Sequence, residues 1–94
     1  MFYERRIGSL AAVVKEAETM DADAGIRMSG RYAGRRCYAF VSRFGDRFMV
    51  MVYERRDGRR GVLGRRLASE DVESEGLKVL LGKIASGKVE AFAY

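Results

Sequence analysis

The sequence predicts an α+β protein: a helix, a four-stranded antiparallel meander, a second helix, and a short C-terminal strand. Three observations predict it. Apolar residues recur at helical spacing near both ends, the middle is rich in Val, Tyr, Phe and Met, and glycine-containing turn pairs punctuate that middle. The chain has 94 residues, 48% of them hydrophobic, which suits one domain spanning 1–94 with a packed core. No apolar run is long enough to cross a membrane, and the start lacks a signal peptide's apolar stretch, so a cytoplasmic protein is expected.

The first helix follows from Ile7, Leu10, Ala11, Val14 and Ala17, which fall on one stripe, with Asp21 to Gly25 ending it. Strands follow at 26–32, 36–43, 47–55 and 60–66. Ala33-Gly34, Gly45-Asp46 and Asp57-Gly58 separate them as two-residue hairpin turns. Ser69 reads as the N-cap of the second helix, with Glu70, Asp71 and Glu73 at the positive end of its dipole. Leu77, Leu80, Leu81 and Ile84 form its core stripe, and Gly87 its stop. Residues 89–94 read either as a last strand or as a docked extension.

Tight turns fix register. Phe44 then pairs with Arg47, Tyr38 with Tyr53, Val41 with Val50 and Val52 with Leu63. One face collects Ile26, Met28, Cys37, Ala39, Val41, Phe48, Val50, Val52 and Leu63, an apolar floor for the helices. The other collects aromatic rings and arginines.

Charge points the same way. The net charge is +5, but residues 27–66 carry 12 of the 14 arginines against three acids, while both flanks are mildly acidic. A localised basic surface is the footprint of a polyanion binder. Tyr38, Phe40, Phe44 and Tyr53 are expected to stack bases. Arg27, Arg31, Arg36, Arg47, Arg55 and Arg60 are expected to hold backbone phosphates or pack on bases. The first and third turns should also crowd Arg31, Arg35, Arg36, Arg55, Arg56, Arg59 and Arg60 at one edge. Aromatic residues on a strand also serve as core or as a subunit interface, so a homodimer or protein-interaction module is the competing expectation.

Catalysis has little material. The sequence has no His, Trp, Pro, Asn or Gln, and one cysteine, Cys37. That removes imidazole-based triads, thiolate-cage metal sites and internal disulfides. Asp21 and Asp23 with Glu18 read as a helix end before a metal site. No enzyme activity, metal or cofactor is expected.

Residues 36–43, RCYAFVSR, resemble the RNP1 octamer of RNA-recognition motifs, with Cys37 in place of glycine and Arg43 in place of the last aromatic. That resemblance implies contact with nucleic acid through Arg36, Tyr38 and Phe40. Gly58-Arg59-Arg60-Gly61 matches the KH-domain GXXG pattern, though a strand rather than a helix precedes it. The whole layout, with its amide-poor, arginine-rich composition, resembles the ThermoDBP-related single-stranded DNA-binding proteins of thermophilic archaea. This resemblance implies single-stranded DNA as ligand, with little sequence preference. RNA, ribosomal or transfer, is the alternative partner.

Overall fold

The computed structural model describes residues 4–56, 63–85 and 87–94. Among these residues six strands form one antiparallel sheet: β1 (Arg5–Ile7), β2 (Gly25–Tyr32), β3 (Arg35–Phe44), β4 (Arg47–Arg55), β5 (Leu63–Val72) and β6 (Glu90–Ala93), in spatial order β1-β6-β2-β3-β4-β5. Two helices, α1 (Leu10–Thr19) and α2 (Ser74–Ile84), pack on one face of it. The α+β class stands. The helix–four strands–helix layout does not, because two strands outside the meander complete the sheet.

The meander forms where local signals are strong. Ala33 (φ 51°) and Gly34 (φ 79°) make a two-residue turn with Tyr32 opposite Arg35, and Gly45 (φ 61°) makes the next, with Phe44 opposite Arg47. The second turn sets the expected pairing of Tyr38 with Tyr53 and Val41 with Val50. The third turn, Asp57-Gly58, lies outside the described residues, as do Arg59, Arg60 and the rest of the GXXG match.

Leu63 is corrected from core to surface. It sits opposite Arg55, on the face away from the helices, and is 42% exposed. Val52 pairs instead with Ala68, and the β4–β5 ladder shifts register on either side of Tyr53. Leu63 meets β4 three residues later than the expected pairing with Val52, and the pairings beyond it move as well. The second correction follows from the first. Residues 63–72 continue as strand, Ser69 lies within it, and α2 begins after Glu73, which makes no side-chain cap bond. Glu70 and Asp71 charge the exposed edge, where a strand otherwise invites pairing with another chain.

The first helix also starts later. Ile7 is buried in β1, Ser9 caps α1 by accepting from the Ala12 amide at 3.2 Å, and Val13, Val14 and Ala17 face the sheet, while Ala11 is exposed. A serine cap and an apolar triplet outweigh a stripe extended back to Ile7.

β6 lies inside the sheet, between β1 and β2, so β1 and β2 run parallel with β6 antiparallel to both. Same-direction strands need a crossover, which α1 supplies. The core is formed by the sheet residues Ile26, Met28, Cys37, Ala39, Val41, Phe48, Val50 and Val52 against Leu77, Leu80, Leu81 and Ile84 of α2. Fully burying each such aliphatic side chain contributes about 1.5–3 kcal/mol. With both helices on this side, no described element covers the opposite face.

Candidate nucleic-acid interface

Cross-strand partners share a face, so the pairings define rows across the uncovered side. One row runs Arg6, Phe92, Arg27, Phe40, Met51, Ser69 across all six strands. The next, two residues along, runs Glu90, Ser29, Tyr38, Tyr53, Arg66. Beyond it Arg31 opposes Arg36. Rows lie about 6.6 Å apart, two residues of strand rise.

Aromatic rings occupy the centre. Phe40 lies 6.4 Å from Tyr38 and 5.9 Å from Tyr53, edge-on to the latter at 77°. Tyr38 is only 6% exposed, because guanidinium groups cover it: Arg27 stands 5.7 Å and Arg55 5.2 Å from its ring centre. Arg27 also lies 5.1 Å from the Phe92 ring and pairs with Glu4 at 3.0 Å. The Arg55 Nε is buried without a hydrogen-bond partner among the described residues. These guanidinium groups stand over aromatic rings, an arrangement that suits arginine better than lysine.

Two adjoining hollows flank the Ser29–Glu90 pair. A hollow of about 370 Å³ gathers Arg6, Arg27 and Arg55 around Tyr38 and Phe92. A second, of about 300 Å³, gathers Arg31, Arg36 and Lys88. Ser29 and Glu90 line both.

The expected site residues therefore fall into groups. Arg27, Arg31, Arg36, Tyr38, Phe40, Tyr53 and Arg55 lie together on the uncovered face. Phe44, 64% exposed, and Arg47 sit at its far end, beside the second turn. Arg47 is engaged by Asp71 at 2.7 Å and Glu73 at 3.3 Å, and the Asp71 hydrogen bond raises its pKa above the ordinary arginine value. Arg60 lies outside the described residues. The crowded arginine edge is divided by the sheet. Glu54, on the helix side, pairs Arg35 at 2.8 Å and Arg56 at 3.7 Å, while Arg31, Arg36 and Arg55 belong to the uncovered face.

Ser29 lies on this face as the register predicts, and Arg6, Arg66, Lys88, Glu90 and Phe92 join it without having been expected. The alternation of Glu90, Phe92 and Tyr94 with Val89, Ala91 and Ala93 is the signal that could have found part of this set. A period of two marks a half-buried strand, and Ala91 is indeed fully buried.

Comparison of the chain with protein-family models, curated proteins and solved structures returned no match. Among the described residues no helix is long and apolar enough to cross a membrane.

Proposed function

We propose that this protein binds single-stranded nucleic acid, DNA in the first instance, on the helix-free face of its sheet. One observation carries the reading: this face joins the rings of Phe40, Tyr53 and Phe92 to Arg6, Arg27, Arg31, Arg36 and Arg55. Single strands present flat bases and regularly spaced phosphates together, and base stacking contributes about 1–3 kcal/mol per base. A duplex offers its phosphates and keeps its bases stacked internally.

Within this reading Phe40, Tyr53 and Phe92 stack bases. Tyr38 acts as a pedestal, holding Arg27 and Arg55 at a fixed height above the sheet. The arginines take phosphates, and the place of action is the cytoplasm. Neither a metal nor a cofactor enters.

Fluorescence anisotropy with labelled oligonucleotides about 20 nucleotides long tests this, using single-stranded DNA, duplex DNA and single-stranded RNA across a salt series. Binding to single strands should outlast moderate salt, with duplex much weaker. Tyr53→Ala should weaken single-strand binding by about 1–3 kcal/mol while the thermal melt shows a folded protein. Equal binding to all three, vanishing together as salt rises, would reduce the face to a general cation patch. A dimer that Tyr53→Ala splits would instead make it a subunit interface.

A further inference from the structure

We propose that Glu90 reads guanine in the nucleotide that straddles the two cationic hollows. The inference rests on the single-strand reading above and adds to it a base preference at one position.

Glu90 is out of place in a phosphate trough. It lines both hollows, with Arg27 and Arg55 in one and Arg31 and Lys88 in the other, and forms no ion pair among the described residues. A negative charge there repels every phosphate the arginines attract. It therefore serves a ligand group that donates hydrogen bonds. An ionised carboxylate offers two acceptor oxygens and no donor. Among the four bases only guanine presents two adjacent donors, N1–H and the N2 amine, on its pairing edge. Thymine sets one N–H between two carbonyls, while adenine and cytosine place their amine beside an acceptor nitrogen.

The surroundings fit one nucleotide. Ser29 faces Glu90 across the β2–β6 ladder, so its hydroxyl can donate to guanine O6. Phe92 lies one row away on the same strand and supplies the stacking surface. Arg27 and Arg31 stand four residues apart on β2, about 13 Å along the strand, one on each side of Ser29. That separation leaves room for a base between two phosphate positions.

The experiment uses the whole chain and three single-stranded DNA probes: oligothymidylate, the same strand with one central guanine, and the same strand with hypoxanthine in place of that guanine, with oligouridylate as an RNA control. Hypoxanthine keeps N1–H and O6 but lacks the N2 amine. The guanine strand should bind about tenfold tighter than oligothymidylate, within the range of a bidentate side chain–base pair, and hypoxanthine should lose most of that gain. Glu90→Gln should abolish the guanine preference and tighten oligothymidylate binding slightly, because a repulsive charge is gone. A Glu90→Gln variant that tightens all three strands equally, with no guanine preference in the native protein, overturns the assignment and leaves single-strand binding standing. Failure of every strand to bind overturns both. If oligouridylate gains as much from Glu90 as the guanine strand does, the carboxylate is meeting a ribose hydroxyl, and the guanine assignment falls.

Discussion

Gly30 shows how closely α2 sits on the sheet. A methyl group added there would run into the carbonyl oxygen of Ile84 and come within 2.7 Å of its Cγ2. The obstacle is helix backbone, so side-chain rotation cannot clear it. Gly30→Ala should destabilise the fold by about 1–3 kcal/mol, read as a lower midpoint in urea with an unchanged slope. Cys37 is the second such position. Burial raises its thiol pKa from an ordinary value near 9 to about 11. Between those values the folded chain keeps a proton that the unfolded chain releases, so stability is full below pH about 9 and falls as pH climbs through 11. Cys37→Ala removes this dependence. The stability gap between native protein and variant should be constant at neutral pH and narrow above pH about 9, which paired denaturant titrations would show. A gap that stays constant throughout would mean the thiol is not held protonated by folding.

At the scale of elements, what local sequence governs was legible and what distant pairing governs was not. The core stripe of α2 and the first two hairpins were read correctly, since helical spacing and two-residue turns act within a few residues. β1 and β6 have three and four residues, and each is specified by strands far along the chain. Ile7 illustrates the ambiguity: it lies three residues before Leu10, which suits a helical stripe, yet Ser9 stops the helix short of it. The ladder shifts around Tyr53 were invisible for the same reason, because nothing in residues 63–72 announces its register. The site divides likewise: Tyr38, Phe40, Tyr53, Arg27 and Arg55 follow from the meander, while Arg6 and Phe92 needed the inserted strand. The first turn carries its own prediction. Ala33 holds φ 51°, a left-handed conformation that costs a Cβ-bearing residue about 1 kcal/mol and that asparagine tolerates better. Ala33→Asn should raise stability by about 0.5–1 kcal/mol in a thermal melt, without altering nucleic-acid affinity.

At the scale of the molecule, charge is sorted by face as well as by sequence. On the helix side Glu16 pairs Arg5, Glu54 pairs Arg35 and Arg56, and Arg43 donates to the carbonyl oxygens of Glu18 and Met20. The uncovered side spreads Arg6, Arg27, Arg31, Arg36, Arg55 and Lys88 around Glu90. If these six contact phosphates, the logarithm of affinity should fall with the logarithm of salt at a slope of about −4, near 0.7 for each cation on a single strand. Replacing Arg31 and Arg36 together by Ala should flatten that slope by about 1–1.5, measured by the same anisotropy titration. An unchanged slope would place the strand elsewhere on the surface.

The position of β6 has a consequence for synthesis on the ribosome. Among the described residues β1 pairs only with β6, so it waits for the residues around 90–93 before it joins the sheet. Until then a nascent chain can build its hairpins and helices but leaves the edge of β2 open. Arg6 and Phe92, which flank Arg27 in the finished sheet, come together only at that late step. A growing polypeptide thus completes this cation-and-ring surface only once residues 90–93 have left the ribosome.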